Sequence, residues 1–339
     1  MTAGVMSLVT LDEIKEARER IKSAARYTPL IDVPYPSASA EASARQAAPA
    51  DTRLRLKCEN FQPMGAFKIR GAFNMIAQLP KENLERGVIT FSSGNHGQAV
   101  AMAARAIGAP AVIVMPTTAP KVKVDGCKSY GAEIIMEGTT SLDRQRRAEK
   151  EANERGLTIV PPFDHKQIII GQGTMGLEIL EQCPEVATVF VPAGGGGMAS
   201  GVATAIKLSK PDVRIVAVEP AGAPKMTRSL EAGHPVTLPS SSSIADGLMN
   251  LRPGEITFAH VRKYVDEVVT VSEEAIASNV GWLFRNARIV VEPSGAATTA
   301  AVALGLGNVD LRKGPVVAVV SGGNVAPEAF ARYITQTTP

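Results

Sequence analysis

The amino-acid sequence predicts an α/β protein with two domains, each built on an open, twisted parallel sheet. The chain has 339 residues, and about 150 residues per domain is a usual size. Continuous Val and Ile runs alternate with glycine-bearing turns and helical stretches, a pattern typical of parallel sheets covered by helices on both faces. The runs form two clusters, around 85–160 and after about 185, and this separation predicts the two domains.

Local signals predict the individual elements in order. Thr10 and Glu13 have the spacing of a capping box that opens the first helix. The segment 35–51 is rich in Ala, Ser and Pro and is predicted to be a surface excursion. A helix is predicted at 121–130. Strands are predicted at the start of 87–108, at 110–116, within 132–138, at the start of 187–208, at 213–220 and at the start of 315–324.

Composition argues against several classes of partner. The net charge is only +3, from 36 basic and 33 acidic residues, which argues against a charge-driven role on nucleic acid or membranes. No apolar run is long enough to span a bilayer, and residues 1–21 lack the features of a signal peptide. Cys58, Cys127 and Cys183 are far apart and lack metal-ligand spacing, which predicts reduced thiols in a cytoplasmic protein.

A glycine-rich loop at 193–201 follows an apolar run and opens a predicted helix. Bare N–H groups at a helix N-terminus form a phosphate cradle, and four consecutive glycines allow a close approach that a Cβ would block. A tight turn without a ligand is the alternative. Gly194, Gly196 and Ala199 also satisfy a dinucleotide fingerprint, with Glu219 about 20 residues further on, so this loop alone also permits an NAD(P) enzyme.

A second polar turn, SSGNHGQA at 92–99, links a predicted strand to a helix. Its hydroxyl, amide and backbone N–H groups are suited to binding a carboxylate. His96 has no second His or Cys near it in sequence, so a donor or structural role is favoured over metal ligation. The candidate polar side chains are Ser92, Ser93, Asn95, His96 and Gln98.

Lys68 stands among small and apolar residues in GAFKIRGAF at 65–73. One interpretation is a surface lysine whose ammonium reaches solvent, with Arg70 beside it. The other is a desolvated lysine whose amine is more easily neutral and can form a Schiff base. A lysine together with a separate phosphate cradle matches the needs of pyridoxal phosphate, whereas a nicotinamide cofactor has no use for the lysine.

Several motifs occur in an order that resembles the threonine/serine dehydratase and serine racemase family. They are KCENFQPMGAFKIRGAF, SSGNHGQAVA, GQGTMGLEI, PAGGGGMASG, VEP, EPSGA and SGGN. The resemblance covers residues 10 to 333. It implies a fold type II pyridoxal-phosphate enzyme with the active site between its two α/β domains. The implied division is a large cofactor-binding domain, 1–79 with 166–339, and a small mobile substrate domain, 80–165.

The resemblance also implies how the cofactor is held. Lys68 would bind it as a Schiff base and later move the Cα proton, with Phe67 beside the ring. Asn95 would hydrogen-bond to the phenolic oxygen of the cofactor. Ser321 would face the pyridine nitrogen and leave it largely unprotonated, which favours elimination. The implied phosphate cradle consists of Gly194, Gly195, Gly196, Gly197 and the Met198 amide.

For the substrate, the resemblance implies a carboxylate site made by Ser92, Asn95 and His96. Arg144 lies where serine racemases carry an arginine for the same carboxylate, although the local match is weak. Ser93 matches the racemase serine that acts as a base on the opposite face of Cα. Dehydratases of the family carry a similar serine, so Ser93 does not separate the two activities.

This sequence departs from the family pattern at two places. Met64 and Ala66 replace the usual hydroxyl residues before the lysine, which predicts a more apolar pocket wall. Glu219 and Ala223 match a cation site of the racemase branch, but Lys225 replaces its acidic ligand. No bound metal is therefore predicted, and one hypothesis is that Lys225 itself supplies the missing positive charge.

The predicted activity is dehydration and deamination of a 3-hydroxy amino acid such as L-threonine or L-serine, or a bulkier one, to a 2-oxo acid and ammonia. Amino-acid racemisation on the same scaffold is the nearest alternative. An NAD(P)-dependent oxidoreductase and a catalytically silent amino-acid-binding protein are distant ones. The predicted partners are a small-molecule amino acid and further copies of the chain, in a homodimer or tetramer.

Overall fold

The computed structural model describes residues 7–36, 53–92, 94–119 and 121–335. Most of the predicted surface excursion at 35–51 lies outside these residues. The strands are β1 (Leu30–Pro34), β2 (Arg53–Cys58), β3 (Val88–Phe91), β4 (Ala111–Met115), β5 (Glu133–Met136), β6 (Thr158–Ile159), β7 (Thr188–Pro192), β8 (Arg214–Pro220), β9 (Glu267–Val271) and β10 (Val316–Val320).

The helices of the described residues lie between and around these strands. They are α1 (Leu11–Ile21), α2 (Ile69–Ile76), α3 (Lys81–Arg86), α4 (Asn95–Ile107), α5 (Lys121–Ser129), α6 (Ser141–Arg155), α7 (Lys166–Gln182), α8 (Gly197–Ser209), α9 (Lys225–Ala232), α10 (Glu255–Tyr264), α11 (Glu273–Ala287), α12 (Pro293–Ala303) and α13 (Pro327–Thr335). Thr10 and Glu13 form the predicted capping box of α1. No helix in this part of the chain is long and apolar enough to cross a membrane.

The strands form two sheets, as the α/β prediction requires. The larger sheet has the order β1-β2-β10-β7-β8-β9, and the smaller has the order β5-β4-β3-β6. Every pairing in the smaller sheet is parallel. In the larger sheet β1 pairs antiparallel with β2 while the other pairings are parallel, so the larger sheet is mixed rather than wholly parallel.

Both sheets are covered by helices on their two faces. Along β10, Val316, Ala318 and Val320 pack in one apolar cluster while Val317 and Val319 pack in another on the opposite face. The central strands β4, β7 and β10 are buried at every residue. Their continuous Val and Ile runs follow from this, because a strand buried on both faces has no solvent side that would need polar residues.

The predicted strands all exist, but the sequence did not reveal β1, β2, β6 or β9. The strand β2 reads RLRLKC, and its charged residues interrupt the apolar run by which a buried strand is recognised. Lys57 in β2 is fully buried, and its Nζ donates to Glu178 Oε2 at 2.6 Å. That carboxylate lies 121 residues further along the chain, so no local sequence pattern predicts the ion pair.

Glycines allow α7 and α8 to cross at backbone contact. A Cβ on Gly201 would lie 2.4 Å from the Ile169 carbonyl oxygen and 2.5 Å from the Gly173 nitrogen. Backbone atoms cannot move aside as a side chain can, so a residue without a Cβ is required there. This crossing fixes α8, whose N-terminus follows the glycine-rich loop.

Candidate active site

Lys68 immediately precedes α2, at the end of the short connection that follows β2. Its Nζ donates a hydrogen bond to the Pro162 carbonyl oxygen at 2.6 Å and lies 5.2 Å from the centre of the Phe67 ring. Desolvation of the amine lowers the pKa of Lys68 to about 8. Among the described residues, Lys68 has no carboxylate partner to restore its charge. The amine is therefore suited to act as a nucleophile and as a base.

The glycine-rich loop connects the carboxyl end of β7 to α8, as predicted. Gly196 has φ +98° and stands at the N-cap of α8 without a capping side chain, so the loop leaves backbone N–H groups unsatisfied at the N-terminus of the helix. The Gly195 carbonyl oxygen accepts a hydrogen bond from Thr257 Oγ1 at 2.7 Å, which fixes the loop. Met198 lies in the first turn of α8 with its side chain buried.

The segment that follows β6 brings the lysine and the glycine-rich loop together. Pro162 accepts the hydrogen bond of Lys68, and the next residue, Phe163, packs its ring against the loop. A Cβ on Gly195 would lie 2.4 Å from that ring, and one on Gly197 would lie 3.0 Å from Phe163 Cβ. Lys68 and the glycine-rich loop, which separate motifs predict to anchor the cofactor and to bind its phosphate, therefore lie in one cleft.

The second polar turn connects the carboxyl end of β3 to α4. Gly94 is the N-cap of α4 and supplies no side-chain cap, so the first N–H groups of the helix are available to an anion. Ser92 Oγ accepts a hydrogen bond from the Gly94 N–H at 3.1 Å. Ser93 lies outside the described residues, and its predicted role stays a prediction.

His96, in the first turn of α4, has a neutral imidazole. Its Nε2 lies 3.0 Å from the Val160 carbonyl oxygen, and its Nδ1 is buried with no hydrogen-bond partner among the described residues. Burial, with the nearby Lys68 charge, lowers the pKa of His96 to about 3. Because Nε2 must carry the proton that it donates to the Val160 carbonyl, Nδ1 is an acceptor. The side chain therefore offers no donor to a carboxylate, whereas the backbone N–H does.

Asn95 connects the two sheets. Its Oδ1 accepts a hydrogen bond from Asn324 Nδ2 at 2.9 Å, and its Nδ2 donates to Glu292 Oε1 at 2.6 Å. Asn324 Nδ2 also donates to the Met64 carbonyl oxygen at 2.9 Å. The amide of Asn95 is thereby oriented from both sides.

Ser321 follows β10 and is buried beside the segment that carries Lys68. Its carbonyl oxygen accepts a hydrogen bond from the Phe67 N–H at 3.1 Å, and Ala66 pairs with Gly322 in an isolated bridge. Among the described residues, the hydrogen bond that the Ser321 hydroxyl makes is a long one, 3.4 Å to the Ser294 carbonyl oxygen. A hydroxyl held this weakly is available to another partner.

Glu292, at the N-cap of α12, belongs to the site although the sequence analysis gave it no role. It is 2% exposed, and burial with the nearby Asp246 charge raises the pKa of Glu292 to about 8, against the opposing effects of Lys123 and Asn95. Its Oε2 is buried and has no hydrogen-bond partner in the part of the chain that the structure describes. The available signal was a glutamate between an apolar run and a proline in VVEPSG, since buried glutamates are rare unless paired.

Arg144 lies in α6, and the structure does not connect it to the other predicted site residues. The hydrogen bond it makes among the described residues is long, 3.4 Å, to the Thr139 carbonyl oxygen. Its Nε is buried, with no hydrogen-bond partner within the described ranges, and burial lowers the pKa of Arg144. Its predicted role in carboxylate binding stays a prediction.

The residues at the expected cation position do not fit a divalent metal. Lys225 is fully buried, and its Nζ lies 3.0 Å from Glu219 Oε1. A positive side chain inside the ligand set repels a metal cation. Within the described residues, no group of three or more His, Cys, Asp and Glu side chains is placed to hold a metal ion.

The same contacts remove support from the dinucleotide interpretation of the glycine-rich loop. That interpretation needs the Glu219 carboxylate to bind ribose hydroxyls. Glu219 is fully buried, and its oxygens accept hydrogen bonds from the Met226 N–H at 2.8 Å and from the Thr227 N–H at 2.9 Å. The carboxylate is thus already used inside the fold.

Pyridoxal phosphate fits the residues that line the cleft. The cofactor needs an amine with a lowered pKa, a cradle of backbone N–H groups and polar partners for its ring. Lys68 would supply the amine, the glycine-rich loop would supply the cradle, and Asn95 and Ser321 would supply the polar partners. The unpartnered Nδ1 of His96 and Oε2 of Glu292 belong to side chains of the same cleft.

Known proteins resemble this chain along nearly its whole length. The L-threonine ammonia-lyase of Thermotoga maritima is 40% identical over 329 residues, which cover 97% of this chain and 79% of that protein. The serine racemase of Schizosaccharomyces pombe is 37% identical and covers 97% of this chain and 98% of its own.

Solved structures with the same fold support this relationship. Maize serine racemase, 39% identical, superposes with a TM-score of 0.88 over 96% of this chain and 97% of its own. A threonine deaminase from tomato, Solanum lycopersicum, 34% identical, superposes with a TM-score of 0.83 over 96% of this chain and 89% of its own. Residues 21–322 match the family described as pyridoxal-phosphate dependent enzyme. With Lys68, the glycine-rich loop and Ser321 assembled in one cleft, the chain belongs to the pyridoxal-phosphate dependent enzymes of fold type II.

Proposed function

We propose that this protein catalyses the elimination of water from a 3-hydroxy amino acid. Hydrolysis of the resulting enamine then takes up one water and gives a 2-oxo acid and ammonia. The observation that carries the proposal is the Lys68 amine, desolvated and without a carboxylate partner among the described residues, in the same cleft as the glycine-rich loop. L-threonine is the first candidate substrate, because relatives that are 40% and 42% identical to this chain are named L-threonine ammonia-lyases. L-serine and bulkier 3-hydroxy amino acids are further candidates, because Met64 and Ala66 replace the usual hydroxyl residues before Lys68 and predict a more apolar pocket wall.

The chain's own residues account for binding and proton movement. Lys68 would hold the cofactor, and its Nζ would accept the proton that leaves Cα. The N–H groups of residues 194–197 and Met198 hold the phosphate. When bound, pyridoxal phosphate supplies an electron sink for the electron pair left at Cα. Ser321 would offer a neutral hydroxyl to the ring nitrogen of the cofactor, which would keep the electron sink weak and favour elimination.

We place the substrate carboxylate at the N-terminus of α4. The available groups are the backbone N–H groups of Asn95 and His96, with the Ser92 hydroxyl. The imidazole of His96 takes no direct part in this binding, because its pKa is lowered to about 3 and its Nε2 proton is donated to Val160. Arg144 is a further carboxylate ligand only if α6 moves toward the cleft.

Racemisation is a second candidate. It is favoured by the similarity to two serine racemases, from fission yeast and maize. It requires a base on the face of Cα opposite Lys68, and we assign that role to Ser93. Elimination is preferred because it needs Lys68 alone as the base.

The domain organisation follows the two sheets. We propose that residues 80–165, which carry the smaller sheet, form a mobile substrate domain, and that 1–79 with 166–339 form the cofactor-binding domain. A cytoplasmic homodimer or tetramer completes the proposal, in line with the resemblance noted above. Light scattering coupled to size-exclusion chromatography tests the assembly, and a monomeric mass would contradict it.

The first experiment is the visible absorption spectrum of the purified protein before and after borohydride, followed by a 2-oxo acid assay over a panel of 3-hydroxy amino acids. We expect a yellow protein whose visible absorption band is bleached by borohydride. Reduction of the Schiff base should leave the cofactor attached covalently to Lys68. Lys68→Ala should lose the covalent link and nearly all turnover, while the control Lys81→Ala, at a highly exposed lysine, should keep both. Normal turnover of Lys68→Ala would refute the assignment.

A further inference from the structure

Lys225 places a charged amine inside a closed shell of oxygen atoms. Its Nζ donates hydrogen bonds to the carbonyl oxygens of Ala193 at 3.0 Å, Ala223 at 3.0 Å and Leu248 at 2.9 Å. Glu219 Oε1 is also 3.0 Å away. Lys225 and Glu219 are both fully buried. Carbonyl and carboxylate oxygens around one centre are the ligands that hard metal cations take in proteins.

Every group around this amine is an acceptor, so the shell requires a cation. A neutral amine has two N–H groups for these four oxygens and would turn its lone pair toward one of them, at a cost typical of buried unsatisfied groups. Burial lowers the pKa of Lys225, and the Glu219 carboxylate opposes that shift. Pairing of the ammonium with the carboxylate makes the shell neutral as a whole, which is how buried charges are tolerated.

The shell is attached directly to the phosphate cradle. Ala193 is the residue before Gly194, and its carbonyl points to Lys225 while its N–H donates to the Val218 carbonyl oxygen at 2.8 Å. On the other side, Leu248 packs against the same glycine, since a Cβ on Gly194 would lie 3.5 Å from Leu248 Cα. The ammonium therefore holds together the two backbone segments that meet at the start of the cradle.

We propose that Lys225 is a tethered cation, which occupies the place of a metal ion and positions the glycine-rich loop to bind phosphate without any added cation. Lys225 is a positioning residue, because it touches neither substrate nor cofactor. The inference rests on the proposed role of residues 194–197 as the phosphate cradle. It predicts that the affinity of the protein for pyridoxal phosphate is independent of metal ions.

The test measures the dissociation constant for pyridoxal phosphate, by absorbance titration of cofactor-free protein, and the melting temperature. For the wild-type protein both values should be the same with a chelator and in sodium, potassium, ammonium or magnesium chloride at equal ionic strength. Lys225→Ala should weaken cofactor affinity by about tenfold or more. Because the truncated side chain leaves space within the oxygen shell, potassium, ammonium or methylammonium should restore affinity in this variant.

Lys225→Met is the matched control, because its side chain fills the same space without a charge. It should lose affinity as Lys225→Ala does, but no cation should restore it. Wild-type affinity in Lys225→Met, or a wild-type protein that needs a metal ion for full affinity, would overturn the proposal. These measurements do not require turnover, so they are separate from the test of Lys68. If borohydride leaves no cofactor attached to Lys68, the proposed function is refuted, and the effect of cations on cofactor affinity can still be interpreted.

Discussion

At the scale of single residues, the cleft contains groups whose proton affinities differ from their ordinary values in opposite directions. The pKa of Lys68 is lowered to about 8, and that of Glu292 is raised to about 8. In both cases burial disfavours the charged form, because neither group has a full counter-charge. Perturbed groups of this kind concentrate at functional sites, which supports the proposal that this cleft is the active site.

The raised pKa of Glu292 predicts how stability depends on pH. In the folded protein the pKa rises from 4.5 to about 8, so the neutral form contributes stability that is complete below pH 4.5 and is lost as pH rises toward 8. The slope is at most about 1.4 kcal/mol per pH unit. Glu292→Gln keeps an acceptor for Asn95 and cannot ionise. The variant should therefore become progressively more stable than wild type between pH 5 and 8.

Chemical denaturation of cofactor-free wild type and Glu292→Gln across that pH range measures the effect. Glu82→Gln, at an exposed position in α3, is the control and should follow the wild-type curve. A constant difference in unfolding free energy between Glu292→Gln and wild type would contradict the raised pKa.

At the scale of secondary-structure elements, α2 is anchored by a buried ion network two residues after Lys68. Arg70 donates to both oxygens of Glu59 at 2.8 Å and to Glu178 at 2.7 and 2.9 Å. Arg70 is 1% exposed and Glu59 is fully buried. The network joins the first turn of α2 to α7, so it also fixes the backbone that carries the nucleophile.

Removal of Arg70 should destabilise the protein strongly. Arg70→Met would leave two buried carboxylates with only Lys57 as a counter-charge, and breaking a buried ion pair costs about 3–5 kcal/mol. The control is Arg18→Met, because the Arg18 pair with Glu181 is partly exposed at 31% and 45% and pairs of that kind contribute about 1 kcal/mol or less. Equal losses of unfolding free energy in the two variants would refute the importance of the buried network.

The sequence predicts the elements that a pattern of neighbouring residues is enough to specify. Strands β4, β7 and β10 are apolar along their length, so their runs predict them. The turns that follow β3 and β7 predict the site because glycine and polar residues cluster there. By contrast, β2 was missed because Lys57 is satisfied by a distant carboxylate, and Glu292 was missed because its environment comes from Asn95, Asp246 and Lys123 on other segments. The sequence analysis identified Lys225 as a departure from the family pattern. The carbonyl oxygens around it could not be predicted, because they are backbone atoms that no residue pattern specifies.

At the scale of the whole molecule, the two sheets are joined across the cleft by an ion pair between Lys123 and Asp246. Lys123 belongs to α5 beside the smaller sheet, and Asp246 begins the 3₁₀ turn Asp246–Leu248 beside the larger one. The Lys123 side chain is 9% exposed. The same turn supplies the Leu248 carbonyl to Lys225, so the contact connects the smaller sheet to the oxygen shell behind the phosphate cradle.

This position predicts that the pair holds the cleft closed over substrate. Lys123→Met and Asp246→Asn should each raise KM more than they lower kcat, since closure is weakened while Lys68 and the cradle are unchanged. If the two residues act through their mutual contact, the double variant should lose less than the sum of the single losses. Steady-state kinetics of the three variants form a double-mutant cycle that measures the coupling. Lys121→Met, in an exposed pair with Asp125 on the same helix, should change neither constant, and additive losses in the cycle would show that Lys123 and Asp246 act independently.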